Sequence, residues 1–265
     1  MFSSRSIRCV LAIVVAASTT SLVAAQTAQI TDPFPASIER IKHSVAPVIC
    51  RGPDTVVDTR LTPTLRSVVG TAFFTSATGE FVTAAHVIAA FKTVPGCVPA
   101  IYLPTAGWAT DTQRFNVRFL NVSRCLLVND AVDIAICRTD TDLSLEASRV
   151  LNIVPVALNT LRQPDGTPLA FTGFPLQAVQ PLTSRGYVAA YRRGAELTEG
   201  ELVVDKTGWP GVSGGPVYIA DGSVVGVVLA RGVGDNAGVT IARPTSFLRQ
   251  LLDQARQAQN TLELK

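Results

Sequence analysis

The sequence predicts an all-β fold that ends in one α-helix. Between Pro47 and Pro244, short segments rich in Val, Ile, Thr and Phe are separated by Gly, Pro, Asn and Asp, and helical periodicity is scarce. Short strands at this spacing are typical of a β-sandwich or a β-barrel. Asp221-Gly222 lies between two apolar runs. It favours a hairpin there, because glycine readily takes the positive φ angle that such a turn requires.

Each predicted strand is a run of β-branched and aromatic residues bounded by turn residues. Examples of these runs are Ser67–Thr75, Glu80–Ala84, Arg114–Val128, Val132–Cys137, Pro168–Phe174, Ser184–Tyr191, Glu201–Asp205, Pro216–Ala220, Ser223–Ala230 and Gly238–Ala242. After Pro244 the apolar period becomes helical, and we predict a helix over residues 245–257 that Thr245 or Ser246 can cap. The residues on its apolar face are Phe247, Leu248, Leu251, Leu252 and Ala255.

The first 25 residues have the layout of a secretory signal peptide. A basic start with Arg5 and Arg8 precedes an apolar run, and small residues at its end suit cleavage before Gln26. A membrane anchor is the alternative, but the strongly apolar stretch Val10–Ala17 is too short to span a bilayer comfortably. We therefore expect an exported protein, secreted or periplasmic, with no membrane segment once the signal is removed.

The charge of the remaining chain argues against nucleic-acid binding. Cleavage removes two of the 23 basic residues and none of the 20 acidic ones, which leaves a net charge of +1. No basic patch interleaved with aromatic residues appears. The remaining 240 residues suit one large domain or two small barrels that share a core. Residues 26–44 form a polar lead-in or contain a short helix from Pro35 to His43.

Cysteine usage supports the exported interpretation. Cys9 leaves with the leader, and an even number of cysteines in an exported chain suits two disulfides, with three connectivities open. Metal binding is the competing interpretation, but no two cysteines have the close spacing of a zinc knuckle. Only His43 and His86 are available as further ligands, so we expect no metal and no cofactor. The four remaining cysteines are Cys50, Cys97, Cys125 and Cys137.

The most informative segment for chemistry is Gly208–Pro216, in which Gly211, Gly214 and Gly215 crowd Ser213. Glycine tolerates torsions that other residues do not, and its missing side chain lets a substrate approach the main chain. Acyl transfer needs such a setting, with a nucleophilic hydroxyl and N–H groups directed at the developing oxyanion. A glycine-rich turn with an incidental serine is the alternative at this point.

The same segment also matches the nucleophile elbow of α/β-hydrolases, and this alternative fails. In that fold the base histidine follows the serine along the chain, and the serine opens a helix. Here no histidine follows His86, and the segment after Ser213 reads as the β-hairpin Pro216–Ala230. The order that remains is histidine, aspartate, serine, which also occurs in a serine-peptidase triad.

His86 and Asp133 are the candidate partners of Ser213. His86 follows an apolar strand and a small-residue turn, whereas the only other histidine, His43, lies in a polar lead-in. Asp133 opens an apolar run, so its carboxylate is expected at a strand start, where it can fix the tautomer of the histidine. Asp130 follows Asn129 and has the setting of a turn residue. We therefore favour Asp133 over Asp130.

Three segments resemble the signature motifs of chymotrypsin-like serine peptidases: Thr83–His86, Asp133–Ile136 and Gly211–Pro216. Gly70–Phe74 and Gly238–Pro244 are similar to the HtrA/Deg and glutamyl-endopeptidase branch of that family. The resemblance implies two six-stranded Greek-key β-barrels, with the active site between them and the C-terminal helix outside. It implies a peptidase domain over residues 45–258, with the first barrel at about 45–150 and the second at about 151–243.

The resemblance also implies the supporting parts of the site. The backbone N–H groups of Gly211 and Ser213 correspond to the oxyanion hole. The strand Leu229-Ala230-Arg231 is expected to bind the substrate main chain as an added β-strand. Residues corresponding to the wall of the primary specificity pocket are Thr207, Gly208 and Gly238.

Several departures from the family pattern limit this comparison. Val212 stands where trypsin-type enzymes have the acid that activates them, and no matching new N-terminus is present. Thr207 replaces the aspartate of trypsin, so the sequence gives no support for Arg or Lys preference. No histidine after His86 is available to select glutamate. Arg231 is a large residue at a position where many members of the family have a small one. It either narrows the pocket or attracts an acidic side chain. PDZ modules are absent, and we expect a monomer.

A disulfide pairing follows from the resemblance. In a chymotrypsin-like first barrel, the runs that hold Cys125 and Cys137 are adjacent antiparallel strands, so these two cysteines are expected to pair. Cys50, on the first strand, then pairs with Cys97, in the stretch after the histidine. Free buried thiols are the alternative, since Cys137 lies in an apolar strand and can simply pack.

The sequence thus predicts a secreted serine endopeptidase that hydrolyses a polypeptide substrate through an acyl-enzyme. A non-catalytic binding protein on the same fold is the first alternative, because a fold does not by itself fix a function. An esterase that uses the same residues is the second, because its acyl chemistry is shared.

Overall fold

The computed structural model describes residues 32–53, 55–57, 60–62, 65–104, 108, 117–140, 153–178, 180–193, 200–232 and 237–263. The predicted signal peptide and residues 26–31 of the predicted lead-in lie outside these residues. In the described part, no helix combines the length and apolar character that crossing a membrane requires.

The chain forms fourteen strands and three α-helices within the described residues. The helices are α1 (Phe34–Lys42), α2 (Ala85–Ala90) and α3 (Thr245–Glu263), and short 3₁₀ turns occur at Phe91–Thr93 and Pro175–Gln177. The strands are β1 (Val45–Arg51), β2 (Thr55–Val57), β3 (Arg60–Thr62), β4 (Leu65–Phe74), β5 (Glu80–Thr83), β6 (Val98–Pro104), β7 (Val117–Asn129), β8 (Ile134–Thr139), β9 (Pro168–Gly173), β10 (Leu182–Arg193), β11 (Gly200–Val204), β12 (Pro216–Tyr218), β13 (Val224–Arg231) and β14 (Thr240–Pro244).

Twelve of these strands close into two six-stranded antiparallel barrels. The strand order is β1-β4-β5-β8-β7-β6 in the first barrel and β10-β11-β14-β13-β12-β9 in the second, while β2 and β3 form a separate two-stranded sheet. Closure leaves no unpaired barrel edge along most of each strand. The predicted all-β fold, with two six-stranded barrels and a C-terminal helix, is confirmed.

Apolar side chains fill both barrels and join them to the last helix. The core of the first barrel includes Phe73, Phe81 and Ile134, all fully buried, and β5 is buried on both faces. The buried side of α3 packs on the same cluster through Leu248 and Leu252. β5 and β8, which flank His86 and Asp133, are therefore packed into the buried core of the first barrel.

Both predicted disulfides are present. Cys125 and Cys137 lie opposite each other on the antiparallel pair β7 and β8. Cys50 on β1 is bonded to Cys97, which immediately precedes β6, the antiparallel neighbour of β1. The pairing inferred from the family resemblance is confirmed.

Two barrel strands, β1 and β6, were not among the predicted runs, although the family resemblance had placed Cys50 on a first strand. β6 contains Pro99 and Pro104, and proline argues against a strand because it lacks the N–H that a sheet ladder uses. The apolar residues between the two prolines nevertheless pair with β7 over Ala100–Leu103. At the end of the chain, α3 continues to Glu263, beyond the predicted 245–257.

Candidate active site

His86 stands where a buried strand turns into a short helix. β5 ends at Thr83, Ala84 is extended, and α2 begins at Ala85. Ala84 and Ala85 are buried at this turn. Their small side chains allow the chain to turn close to the core. The side chain of His86, in contrast, is 50% exposed. A ligand can therefore reach the imidazole.

Asp133 contacts His86 with both carboxylate oxygens. Oδ2 lies 2.7 Å from Nδ1 of His86, and Oδ1 accepts a hydrogen bond from the His86 backbone N–H at 2.9 Å. The backbone N–H of Ala85 also donates to the carbonyl oxygen of Asp133 at 3.2 Å. These three contacts fix both the ring orientation and the loop that carries the carboxylate.

The backbone of Asp133 is in the left-handed region, with φ at 56°. Aspartate is among the few residues other than glycine that adopt this conformation readily. The turn places the carboxylate just before β8, at the strand start that the sequence predicted. The rival Asp130 lies in the exposed turn and contributes its backbone carbonyl, which accepts the Asp133 N–H at 3.3 Å.

Ser213 lies in the loop between β11 and β12, and its hydroxyl is turned toward β13. Oγ donates to the carbonyl oxygen of Leu229 at 3.0 Å. Within the part of the chain that the structure describes, no hydrogen bond joins this hydroxyl to His86. Hydrogen bonds between a nucleophile and its base are often long or misaligned in the absence of substrate. In this structure the Ser213 hydroxyl is therefore engaged with β13 and not with the imidazole.

Two backbone N–H groups around Ser213 have no acceptor among the described residues. They belong to Gly211 and Ser213, whereas the N–H groups of Val212, Gly214 and Gly215 donate to backbone carbonyls. Gly211 has φ at 100°, and a side chain there would collide with the carbonyl oxygen of Phe174. Two unengaged N–H groups beside a serine hydroxyl are the arrangement that stabilises an oxyanion in acyl transfer.

Thr71, on β4 of the first barrel, supports this loop and was missed from the sequence. Its hydroxyl donates to the Gly211 carbonyl at 2.7 Å and accepts the Phe174 N–H at 3.0 Å. Its backbone N–H donates to the Ser213 carbonyl at 2.8 Å. Thr71 lies in the segment Gly70–Phe74, which resembles the family, but nothing in its residue type indicates three contacts to the other barrel.

A second support comes from the 3₁₀ turn after β9. Leu176 and Gln177 both have positive φ, at 54° and 65°. The Gln177 amide accepts the Val68 N–H at 2.7 Å and donates to the Val68 carbonyl at 2.9 Å, so it pairs with β4 like a strand residue. The Leu176 N–H donates to the carbonyl of Pro210 at 2.8 Å. The loop that carries Ser213 is thereby held from two sides.

The predicted substrate strand forms the end of β13. Ala230 and Arg231 pair with Ile241 and Thr240 of β14. On the other side the pairing with β12 ends at Val227, so the Leu229–Arg231 edge faces no further strand among the described residues. Such an edge is a template for an added strand.

The residues predicted to line the specificity pocket lie near the start of β14. Gly208 lies against Thr240, whose hydroxyl donates to the Lys206 carbonyl at 2.5 Å. Thr207, between Lys206 and Gly208, is partly buried. Gly238 lies in the turn before β14 with φ at 103° and open space around its Cα. The structure therefore brings Gly208 to Thr240, a residue that was not among the predicted ones.

A cavity of about 400 Å³ opens beside the Asp133 carboxylate. Its other walls are the Leu229–Arg231 edge and a group of charged residues. The Nε of Arg192 donates to Glu201 Oε2 at 3.0 Å, and the Nη2 of Arg243 lies 3.9 Å from Glu201 Oε1. A larger cavity of about 510 Å³, around Arg162, contains none of the predicted site residues.

Arg243 is a buried cation that crosses from the second barrel to the first. Only 4% of the residue is exposed, and its Nε donates to the Val132 carbonyl at 3.0 Å. Burial lowers the pKa of this guanidinium below its ordinary value, and the carboxylates of Glu201 and Asp133 oppose that shift. Among the residues that the structure describes, no group of three or more potential metal-ligating side chains occurs.

The fold is similar to that of a solved peptidase structure. It superposes on the HtrA-type protease AlgW, determined with a decapeptide, with a TM-score of 0.61, 16% sequence identity and coverage of 84% of this chain and 67% of that chain. At this identity the likeness establishes the fold. No curated protein sequence matches the chain at a significant level.

A protein-family model gives the assignment. The model described as a trypsin-like peptidase domain matches residues 70–227, which is more than half of the chain. The matched segment begins in β4 and includes His86, Asp133 and Ser213. The chain therefore belongs to the family of trypsin-like peptidase domains.

Proposed function

We propose that the protein is an exported serine endopeptidase that uses His86, Asp133 and Ser213 as its catalytic triad. The observation that carries this proposal is the double contact between Asp133 and His86, which leaves Nε2 of the imidazole as the available base. A carboxylate only accepts hydrogen bonds, so the proton of the neutral ring belongs on Nδ1.

The reaction begins when the Ser213 hydroxyl turns from the Leu229 carbonyl toward His86. Nε2 takes the hydroxyl proton as Oγ attacks the scissile carbonyl carbon, and the N–H groups of Gly211 and Ser213 receive the oxyanion. His86 then gives the proton to the leaving amine, and an acyl-enzyme remains on Ser213. Water, activated by His86, hydrolyses the ester and restores the hydroxyl.

The substrate is a polypeptide that pairs with the Leu229–Arg231 edge as an added β-strand. The lack of a neighbouring strand at this edge among the described residues supports the proposal. Main-chain hydrogen bonds then provide affinity irrespective of sequence, and side-chain pockets provide specificity. Thr207, Gly208 and Gly238 form the wall of the primary pocket in this proposal, with Thr240 beside them.

Export to an oxidising compartment accords with the covalent structure. Two disulfides join strands of the first barrel, and such bonds persist outside the reducing cytosol. The basic start and apolar run of residues 1–25 serve as the export signal in this proposal. We propose a secreted or periplasmic monomer.

One observation favours a second candidate, a binding protein without catalysis. The Ser213 hydroxyl is bonded to Leu229 rather than to His86. A fluorophosphonate probe separates the candidates, because it labels only an activated serine. We expect labelling of the wild type, none of Ser213→Ala, and cleavage of casein at internal peptide bonds. Absence of labelling would support the binding protein, and labelling with ester turnover but no cleavage of casein would support an esterase.

A further inference from the structure

The cavity beside Asp133 lies along the path proposed for the substrate. Its lining includes both the Leu229–Arg231 edge and Asp133. A peptide paired with that edge and reaching Ser213 passes this opening on the way to the scissile bond. Its volume of about 400 Å³ is within the usual range for a ligand pocket, roughly 300–1,000 Å³.

The charges around the cavity are unbalanced in favour of cations. Three arginines line it against two carboxylates, and both carboxylates already have partners. Asp133 is held by His86, and Glu201 lies between two of the arginines. The cationic lining residues are Arg192, Arg231 and Arg243.

Arg192 and Arg231 are the exposed cations of this group, and Arg192 is paired with Glu201. Arg231 is exposed at the end of β13 and forms neither an ion pair nor a side-chain hydrogen bond with any residue that the structure describes. Arg243, deeper in the wall, has its Nη1 buried without a hydrogen-bond partner among those residues. A cavity with one unpaired and one incompletely compensated guanidinium favours an anion over a neutral or cationic group.

We propose that this cavity is a subsite for an acidic side chain of the substrate, located on the acyl side of the scissile bond. The carboxylate of an aspartate or glutamate pairs with the guanidinium of Arg231 at the mouth, and its methylenes enter the cavity beside Ala230. The proposal rests on the proposed function, because it takes the substrate to be a peptide bound along β13. It names a class of substrate: peptides with an acidic residue upstream of the cleaved bond.

The test measures binding separately from cleavage. Matched peptides that carry either Glu or Gln at each upstream position in turn are titrated calorimetrically into the Ser213→Ala protein. At one position we expect the Glu peptide to bind about fivefold to tenfold more tightly than its Gln twin, a ratio that decreases with added salt. Arg231→Gln in the same background should bring the ratio close to one, and Arg231→Lys should restore part of it.

Arg249→Gln is the matched control, since it removes the same charge from an exposed position on α3. The ratio should remain unchanged in that variant. A ratio near one at every position, a preference that survives Arg231→Gln, or no binding of any peptide would each overturn the subsite. Fluorophosphonate labelling and peptide turnover by the wild type are measured in parallel. If both are present and the ratio is one, the subsite fails while the proposed function stands.

Discussion

Arg243, on the last strand of the second barrel, donates a hydrogen bond from Nε to the backbone carbonyl of Val132 in the first barrel, at 3.0 Å. Val132 immediately precedes Asp133, so this bond also restrains the loop that carries the carboxylate. The guanidinium is buried and also interacts electrostatically with the Asp133 carboxylate. A residue 111 positions away from Val132 in the chain therefore holds the loop of the proposed catalytic acid.

This contact predicts a positioning effect of Arg243. Arg243→Met should lower kcat by about tenfold to hundredfold with little change in KM, because a displaced carboxylate impairs orientation of His86 rather than binding of the substrate. Arg243→Lys, which retains a donor and a charge, should recover part of kcat. Steady-state kinetics on a short peptide measure both parameters. An equal loss in kcat and in folded fraction would reduce Arg243 to a purely structural role.

The proposed nucleophile and base should act as a unit. Ser213→Ala and His86→Ala are each expected to lower kcat by about ten-thousandfold or more, and the double variant should be no slower than either single one. Turnover of a fluorogenic peptide measures the rates, and circular dichroism checks that the fold is retained. Substantial activity in the His86 variant would show that another group serves as the base.

The two neighbouring aspartates provide an internal comparison. Asp133→Asn keeps a residue that tolerates positive φ but removes the carboxylate, so His86 loses the restraint on its tautomer. We expect a decrease in kcat of about a thousandfold to ten-thousandfold at neutral pH. Asp130→Asn, in the exposed turn, should change kcat less than twofold. Similar rates for the two variants would contradict the assignment of Asp133.

The helix α3 is tied to the first barrel by an ion pair whose loss should be measurable. Arg256 donates to the Glu80 Oε1 atom at 2.8 Å, and the Glu80 side chain is only 7% exposed. Arg256→Met should lower the free energy of unfolding by about 1 kcal/mol, because it leaves a buried carboxylate with the Thr75 hydroxyl alone. Arg249→Met on the same helix is the control. Urea denaturation of both variants compares the two effects, and equal midpoints would contradict this role of the pair.

The two disulfides should contribute unequally to stability. Cys50 and Cys97 are 47 residues apart, whereas Cys125 and Cys137 are 12 apart. The longer loop loses more entropy in the unfolded chain, which gives about 4 kcal/mol against about 3 kcal/mol for the shorter one. Double alanine variants of each pair, unfolded in denaturant, test this order. A greater loss on removing Cys125 and Cys137 would mean that native-state contacts outweigh loop entropy.

The sequence predicted those parts of the molecule that are determined by residues close together in the chain. Strand runs, the final helix and the glycine-framed loop of Ser213 each follow from the residues in a short window. The family resemblance then supplied what local pattern does not give, namely barrel closure and the pairing of Cys50 with Cys97.

Contacts between the barrels could not be predicted in this way. The bond from Arg243 to Val132 joins positions that are 111 residues apart. The hydroxyl of Thr71 bonds to residues that are 103 and 140 positions away, in the other barrel. The rotamer of Ser213 is likewise set by the Leu229 carbonyl, which arrives from another strand. β6 was missed for a different reason. Pro99 and Pro104 lower the strand propensity of this segment, but the closed barrel accommodates both prolines.

The contacts of Thr71 also determine when in folding the site can appear. The carbonyls of Gly211 and Ser213, in the second barrel, bond to a threonine in the first, so neither half of the chain alone can shape the nucleophile loop. Each barrel must close, and the two must dock, before the loop has its final form. A chain whose two barrels have not docked lacks these contacts, so we expect it to be inactive even when each barrel has formed its own strands.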